Sequence, residues 1–281
     1  MTSNEKHHHS TNPFNQQARI IGVKHIVAIS SGKGGVGKST VATNLALALS
    51  KKFKVGLLDA DIFGPSIPRM LGALRQNVVV DENSIITPLV RYGIKIMSVG
   101  FLVDENSAIV WRGPMLFKAI DQFLNDVLWG ELDFLLVDLP PGTGDVPLSL
   151  VQKVPLSGAV AVTTPQNVAL ADVKKSIDMF ERLEIPILGT VENMSYLINN
   201  GEKVQLFPKG ELNTFLANKG IEKLGEIPFH PNVGLSGEAG IPVVESHPKS
   251  LEAEVFFAMA DKIAAKLIHE HTEHAHEHHE H

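Results

Sequence analysis

Hydrophobic positions along this chain occur in short continuous runs that alternate with stretches of helical spacing. The continuous runs predict buried strands, at Ile26–Ser30, Val55–Asp59, Ile94–Ser98, Phe134–Asp138, Gly158–Thr163 and Ile187–Glu192, with a further short strand near Leu224–Ile227. The helical spacing predicts helices, at Ser39–Lys51, Pro65–Leu71, Pro114–Leu128, Leu148–Lys153, Ala169–Leu183, Glu211–Asn218 and Leu251–His269. Strands that are apolar on both faces and alternate with helices are typical of a mainly parallel sheet. The pattern therefore predicts a doubly wound α/β fold with helices on both faces of the sheet.

Two segments depart from this alternation. Residues 78–93 predict a short antiparallel excursion with its turn at Glu82-Asn83. Residues 1–22 are polar and lack periodicity, so we expect a flexible N-terminal arm. We interpret His7–His9 within it as solvated or introduced by cloning, in preference to a native metal site. The folded domain is expected to span residues 23–268.

Composition restricts the functional classes. Hydrophobic residues make up 44% of the 281 positions and charged residues 20%, which is an ordinary globular balance. The net charge of -6 provides no basic field for nucleic acid. No apolar run approaches the roughly 20 residues of a membrane span, and the first residues lack a signal-peptide core, so we expect a soluble, cytoplasmic protein without stable membrane association. The chain has no cysteine, which excludes disulfides, thiolate metal sites and cysteine nucleophiles.

The last residues, 269–281, combine histidines with glutamates and are expected to form a disordered tail. Imidazoles interleaved with carboxylates can chelate Zn²⁺, Ni²⁺, Cu²⁺ or Fe²⁺, though without a fixed geometry. The irregular spacing differs from that of a purification tag. The alternative is a charge-balanced solubilising tail that binds no metal. The candidate ligands are His269, His271, His274, His276, His278, His279 and His281.

The glycine-rich stretch 32–40 lies between a predicted strand and a predicted helix and matches G-x-x-x-x-G-K-[ST] at every fixed position. Glycines let successive backbone N–H groups turn toward an anion, and the helix N-terminus adds the positive end of its dipole. The stretch therefore predicts a nucleotide-binding loop in which Lys38 reaches the β- and γ-phosphates and Ser39 completes the Mg²⁺ shell. Its candidate binding residues are Gly32, Gly34, Gly35, Val36, Gly37, Lys38, Ser39 and Thr40.

Two aspartates, Asp59 and Asp61, stand at the end of the second predicted strand. In an open α/β sheet the carboxyl ends of the strands line the ligand crevice. We expect Asp61 to accept a hydrogen bond from an attacking water molecule and Asp59 to lie near the Mg²⁺ shell. A helix N-cap is the alternative role for Asp61.

A Walker-B-type strand carries Asp138 directly after the apolar run 134–137. Its carboxylate is expected to hold Mg²⁺ through water, with a simple strand-end turn as the alternative. Gly142 follows at a position where its backbone N–H could contact the γ-phosphate and sense its loss. Together these elements predict nucleotide hydrolysis coupled to loop movement.

A second lysine in the loop, Lys33, is not required by the plain pattern. With this lysine, the loop resembles the deviant loop K-G-G-x-G-K-[ST] of the MinD, Mrp and nitrogenase-iron-protein class of ATPases. Further stretches resemble the Mrp/ApbC family of iron–sulfur carrier ATPases, which are close relatives of MinD. The resemblance runs from about Gly22 to Ile268, and its matching stretches are 31–40, 59–72, 111–115, 138–145, 163–166, 192–195 and 225–228.

The resemblance implies a MinD-like P-loop fold, ATP hydrolysis, and a homodimer in which two subunits face each other across two nucleotides. Lys33 would then reach the phosphates of the opposite subunit and join Lys38 and Asp61 in catalysis. Asn193 would hydrogen-bond the adenine edge, which favours ATP over GTP, and Pro228 would flank the base. The implied function is assembly of iron–sulfur clusters and their transfer to apoproteins, with a client that the sequence does not identify.

The sequence departs from this family at the cargo site. Family members place a C-x-x-C pair shortly after the segment equivalent to 192–195, whereas residues 196–203 contain no cysteine. Iron–sulfur clusters are ordinarily held by cysteine thiolates, and Asn or Ile offers no soft anionic donor. The sequence therefore supplies no ligands for the family's cluster. Two alternatives stay open: a nucleotide-switched dimeric scaffold of MinD type that holds no cluster, and a nickel- or zinc-handling NTPase that uses the His-rich tail.

Overall fold

A mainly parallel β-sheet forms the centre of the fold. The structure is a computed structural model that describes residues 20–62, 64–101, 113–208 and 210–277, and at 113–117 and 269–277 it describes the backbone alone. The strands are β1 (Val23–Ser30), β2 (Val55–Asp59), β3 (Val79–Val80), β4 (Ile86–Thr87), β5 (Leu89–Arg91), β6 (Ile94–Ser98), β7 (Leu132–Asp138), β8 (Gly158–Thr163), β9 (Ile187–Glu192), β10 (Leu197–Asn199), β11 (Glu202–Val204) and β12 (Lys223–Glu226). Across the described residues the central sheet has eight strands in the order β12-β9-β8-β1-β7-β2-β6-β5.

Helices connect the strands of this sheet. They are α1 (Lys38–Leu49), α2 (Ile67–Met70), α3 (Gly113–Asn125), α4 (Asp145–Lys153), α5 (Asn167–Arg182), α6 (Leu212–Lys219), α7 (Pro231–Glu238), α8 (Val243–Ser246) and α9 (Leu251–Glu277). Neighbouring strands of the sheet pair in parallel, except that β5 runs antiparallel to β6 at the edge. This arrangement confirms the predicted doubly wound α/β class.

Hydrophobic side chains cover both faces of the sheet. On one face α1 and α9 pack against it, with Leu45 and Phe256 fully buried. On the other face a second core contains Phe123 of α3 and Trp129, and α5 and α6 close a smaller cluster around Ile177. Because each central strand is buried on both sides, its residues are apolar at almost every position, which explains the continuous runs in the sequence.

Some elements differ from their predicted form. The antiparallel excursion is confirmed as the pair β3 and β4, but the hairpin β10–β11 and the short helices α7 and α8 were not predicted. The last helix was predicted to end at His269, whereas α9 continues to Glu277. Residues 1–19 and 278–281 lie outside the described chain, so the predictions for the N-terminal arm, His278, His279 and His281 fall there.

Candidate nucleotide-binding site

The glycine-rich loop joins the carboxyl end of β1 to the N-terminus of α1. Gly35 and Gly37 adopt φ angles of 80° and 84°, a left-handed backbone conformation that favours glycine. A Cβ atom at position 37 would lie 2.1 Å from Nδ2 of Asn193, so any side chain there would displace the Asn193 amide. The loop therefore needs glycine both for its turn and for its contact with the neighbouring segment.

Three residues that the sequence singled out meet beside this loop. The Nζ atom of Lys38 donates to Oδ1 of Asp138 at 2.7 Å and lies 3.6 Å from Oδ2 of Asp61. The hydroxyl of Ser39 donates to the other oxygen of Asp138 at 2.5 Å. Lys38, Asp61 and Asp138 are all buried. The two strand ends and the loop thus bring one cation and two acids into a single cluster.

An open cleft of about 480 Å³ lies against this cluster. The predicted residues that line it are Gly34, Gly35, Gly37, Lys38, Ser39, Thr40 and Asp61. Four further lining residues were not predicted, namely Ser31, Ser66, Met70 and Pro141. Prolines and glycines follow both aspartates, at 140–142 after Asp138 and at 64–65 after Asp61, and they indicate loops at this edge. They do not indicate which side chains reach the cleft.

Asp59 occupies a different place from its neighbour Asp61. Its carboxylate is fully buried and accepts the backbone N–H groups of Asp61 and Ile67, each at 3.2 Å. It also accepts the hydroxyl of Ser98, at the end of β6, at 3.0 Å. Asp59 therefore does not line the cleft. It fixes the loop that carries Asp61 through hydrogen bonds to the backbone of that loop. Ser98 was not predicted, although it is the polar end of an apolar strand.

Burial dominates the electrostatics of the two strand-end acids, Asp59 and Asp138, which are register partners on β2 and β7. Burial and the negative charge of Asp138 raise the pKa of Asp59 to about 8. Burial also raises the pKa of Asp138, although Lys38 and Ser39 partly offset this. The cluster is short of positive charge, and its hydroxyl and carboxylate oxygens are the donors that Mg²⁺ prefers. Ser39 and Asp138 therefore fit a magnesium ion.

The remaining predicted residues lie along the same edge of the sheet. Asn193 is buried, and its Nδ2 donates to the carbonyl of Val36 in the glycine-rich loop at 2.9 Å. Pro228 is buried in the loop that follows β12. The N–H of Gly142 donates to the carbonyl of Ser31 at 2.8 Å, so contact with a phosphate requires this bond to break.

Lys33 differs from Lys38 in its surroundings. It is half-buried, and its ammonium group makes no salt bridge with any residue that the structure describes. The hydroxyl of Ser31 donates to the Lys33 carbonyl at 2.9 Å, which fixes the backbone at the start of the loop. The side chain of Lys33 is thus not held by the acids that hold Lys38.

The segment after Asn193, where the resembling family carries its cysteines, forms the hairpin β10–β11. Its turn contains Asn200 and Gly201 with φ angles of 50° and 83°, the Asn-Gly sequence that type I′ turns prefer. No thiol is present, since the chain has no cysteine. Across the described residues, no group of three or more His, Asp or Glu side chains is placed to hold a metal ion. The folded part of the chain therefore does not fit an iron–sulfur cluster as cargo.

The fold and this site define a P-loop NTPase. Comparison with protein families places the chain more closely: it belongs to the family described as the NUBPL iron-transfer P-loop NTPases of the ParA group, whose sequence model matches residues 22–264. The segment 269–281 lies beyond that match.

Relatives with similar sequences carry related names. The iron-sulfur cluster carrier protein of Aquifex aeolicus is 50% identical over 260 residues, which cover 91% of this chain and 71% of that protein. The iron-sulfur cluster transfer protein NUBPL of Mus musculus is 44% identical over 257 residues, or 90% of this chain and 80% of that protein.

Solved structures with similar folds include nucleotide complexes. A nucleotide-binding protein from Archaeoglobus fulgidus in complex with ADP has a TM-score of 0.73 and 40% identity, covering 85% of this chain and 94% of that one. The septum site-determining protein MinD of Pyrococcus horikoshii, complexed with Mg-ADP, has a TM-score of 0.64 at 24% identity, with 85% and 96% covered, which shows the fold alone. The MinD-like P-loop fold is thereby confirmed.

None of the helices in the described ranges is long and apolar enough to cross a membrane.

Proposed function

We propose that this chain binds ATP with Mg²⁺ and hydrolyses it to ADP and phosphate. The observation that carries the proposal is the cluster of Lys38, Asp61 and Asp138 beside the glycine-rich loop, in which one buried ammonium group lies 2.7 Å and 3.6 Å from two carboxylates. Phosphoryl transfer to water needs a cation to neutralise the γ-phosphoryl oxygens and a hydrogen-bond acceptor, such as a carboxylate, to orient the attacking water. These are the residue types that the cluster contains.

Each residue has a separate role in this mechanism. When nucleotide binds, Lys38 exchanges part of its contact with the two acids for phosphate oxygens and neutralises the charge that develops on the γ-phosphoryl group. Asp61 accepts a hydrogen bond from the attacking water and aligns it. Ser39 and Asp138 would hold Mg²⁺, which when bound would supply positive charge beside the phosphate oxygens. The N–H of Gly142 reports whether the γ-phosphate is present.

The base is recognised by residues that follow β9 and β12, at the same edge of the sheet as the loop. Asn193 hydrogen-bonds the adenine edge, and Pro228 flanks its ring. The proximity of the Asn193 amide to Val36 of the loop, at 2.9 Å, supports this role because a nucleotide on the loop extends past that point. ATP is therefore preferred over GTP.

Two subunits pair when ATP is bound, and Lys33 of each reaches the phosphates held by the other. The MinD-like fold supports this arrangement, as does the lack of an acidic partner for Lys33 among the residues that the structure describes. The dimer works in the cytoplasm.

The biological role is iron–sulfur cluster or iron transfer, as the names of the relatives suggest. Since this chain contains no cysteine, the soft donors come from the client apoprotein, and this chain acts as its nucleotide-switched partner. The alternative is a MinD-type scaffold that binds and releases a partner without iron.

Released phosphate, measured for full-length variants, tests the hydrolytic mechanism. Lys38→Ala should lower kcat at least about 100-fold, as expected for loss of a group that stabilises transition-state charge. Asp61→Asn should lower kcat with little change in ATP affinity. Lys24→Ala, which removes an exposed lysine paired with Asp133, is the matched control and should hydrolyse ATP normally. Hydrolysis by Lys38→Ala at the wild-type rate would show that the loop does not act in this way.

A second candidate function is metal binding by the C-terminal helix. Because α9 continues to Glu277, the backbone of residues 269–277 is helical. Positions three or four apart share a helix face, and this spacing relates His271 to His274 and Glu270 to His274. Imidazole and carboxylate donors suit Zn²⁺ and Ni²⁺. We therefore propose that this segment binds such an ion.

Zinc retained after desalting tests this second function. The full chain should retain zinc, and a chain ending at Leu267 should lose it. A tail of the same composition, rearranged so that no two ligands are three or four positions apart, should bind more weakly. Equal zinc on the full and shortened chains would refute metal binding by the tail.

A further inference from the structure

The turn between β9 and the hairpin β10–β11 carries Asn193. Glu192 and Ser195 stand at its two ends, and Met194 between them adopts a φ of 53°. A left-handed backbone is unfavourable for a residue with a long side chain, so the turn must be held by its surroundings.

A side-chain clamp holds this turn. The hydroxyl of Ser195 donates to Oε1 of Glu192 at 2.5 Å, which ties the two ends of the turn together. The Nζ of Lys223, on β12, donates to Oε2 of the same carboxylate at 2.8 Å and to Oε1 of Glu226 at 2.8 Å. Both oxygens of Glu192 are therefore engaged, one by the turn itself and one by the neighbouring strand.

The clamp is shielded from solvent. The Glu192 and Lys223 side chains are only 10% and 16% exposed. Although burial alone lowers the pKa of Lys223, its hydrogen bonds to Glu192 and Glu226 outweigh that effect and raise the pKa above its ordinary value. In such surroundings, removing one partner leaves a buried charge unpaired, so the other partner must move or lose its charge.

The turn reaches the nucleotide loop through Asn193. The Asn193 N–H donates to the carbonyl of Thr163 on β8 at 2.8 Å, while its side chain donates to Val36 of the loop. The N–H of Ser195 donates to the carbonyl of Ile227 at 2.9 Å, immediately before Pro228. The same turn thus fixes both residues that the proposed function assigns to the base.

We propose that Glu192, Ser195 and Lys223 are positioning residues that hold Asn193 against the glycine-rich loop and thereby set the preference for adenine over guanine. The proposal rests on the assignment of Asn193 to the base. None of the three needs to touch the nucleotide. Loss of the clamp lets the turn relax, and the amide of Asn193 no longer points consistently at the base edge.

Binding of ADP and GDP to the full chain, measured by calorimetry, tests the proposal. Lys223→Met should reduce the ratio of the two affinities by about five- to tenfold, the effect of one hydrogen bond, mainly by weakening ADP. Lys223→Arg should restore most of the ratio. Lys266→Met is the matched control, because Lys266 also pairs with a glutamate, Glu222, but in a more exposed setting where Lys262 remains as a partner. Its ratio should equal that of the wild type.

Ser195→Ala provides a second route if Lys223→Met folds poorly. It removes only one bond of the clamp and should shift the ratio in the same direction by a smaller factor, with faster hydrogen exchange at the Asn193–Ser195 amides. A wild-type ratio in the folded Lys223→Met and Ser195→Ala variants would overturn the clamp while leaving the proposed function intact. A wild-type protein that binds ADP and GDP equally would instead overturn the assignment of Asn193, and the clamp with it.

Discussion

Lys38 shares one ammonium group between Asp138 and Asp61, and Asp138 uses its second oxygen for Ser39. All of these groups are buried or nearly so, and a buried ion pair is strong only while every partner stays in place. Nucleotide phosphates must therefore compete with carboxylates for Lys38. The residue that is proposed to bind the phosphate also holds the strand end and the loop together in the structure.

Asp59 supports this arrangement from below, so its removal should be costly. Asp59→Ala leaves two buried N–H groups and one hydroxyl without an acceptor, and we expect a loss of at least about 2 kcal/mol in the free energy of unfolding. The amides of Asp61 and Ile67 should exchange hydrogen faster. The measurement is chemical denaturation together with hydrogen exchange of the protein without nucleotide.

Asp81→Ala is the control for this variant. Asp81 also accepts two backbone N–H groups, those of Asn83 and Ile85, but in an exposed turn where water can replace it. Its loss should stay below about 1 kcal/mol. Equal losses for Asp59→Ala and Asp81→Ala would refute a special role for the buried carboxylate.

The raised pKa of Asp59 predicts a pH dependence. Its pKa is about 8 in the folded protein against an ordinary value of 3.8, so the folded state binds the extra proton between these values. This contribution to stability is complete below the lower value and is lost as the pH rises through the higher one. Between about pH 6 and pH 9 the wild type without nucleotide or metal should lose stability relative to Asp59→Asn, which stays neutral. Parallel denaturation curves would contradict this prediction.

The hairpin β10–β11 follows the Asn193 turn without a break, and the N–H of Phe229 ties Tyr196 to the loop after β12 at 2.6 Å. The hairpin lies at the place where the Mrp/ApbC family that this chain resembles carries cysteines. An element so close to the turn that is proposed to hold the base is suited to respond to nucleotide.

Hydrogen exchange should reveal this response. ATP should slow exchange at the amides of β10 and β11, because a fixed Asn193 turn reduces the opening of the hairpin that it leads into. The pair β3–β4 is the control, since it forms a separate two-stranded sheet and precedes β5, which lies at the edge of the central sheet opposite β12. Equal changes in both hairpins, or none in either, would refute a specific link.

Most strands and long helices could be predicted from the sequence because they bury continuous or regularly spaced apolar residues. Strands β2, β6, β8 and β9 have their predicted bounds. Helix α7 could not be predicted because Pro231–Glu238 contains two glycines and has no clear apolar face, so its helix depends on packing against α2 and α8. The hairpin β10–β11 was missed because its strands are only three residues long.

The residues of the candidate nucleotide site could be predicted from the sequence, whereas most of the residues that support them could not. The loop glycines, Lys38, Asp61 and Asp138 follow from spacing, since parallel strand ends meet at one edge. The hydrogen bonds of Asp59 could not be predicted, because Ile67 and Ser98 are distant in sequence. The clamp on Glu192 likewise depends on Lys223, which only the pairing of β9 with β12 brings close.

The molecule is proposed to act as a homodimer when ATP is bound, and a substitution of Lys33 tests this proposal. Lys33→Ala should leave ATP binding nearly unchanged but weaken ATP-dependent dimerisation and hydrolysis, because the lysine acts across the interface. Light scattering in the presence of ATP measures the dimer, and released phosphate measures hydrolysis. Lys24→Ala, which removes an exposed lysine, is the control. A Lys33→Ala protein that dimerises and hydrolyses ATP normally would show that the loop does not act between subunits.

This chain combines the residues of a nucleotide site with a lack of cysteine ligands for a resident cluster. This combination is tested most directly by anaerobic iron–sulfide reconstitution of the full chain and of a chain ending at Leu267, followed by desalting and iron and sulfide analysis. We expect no stoichiometric sulfide on either form, and iron, if retained, only on the form with the His-rich tail. A cluster with stoichiometric sulfide that survives on both forms would contradict this expectation and would require cluster ligands within the folded domain.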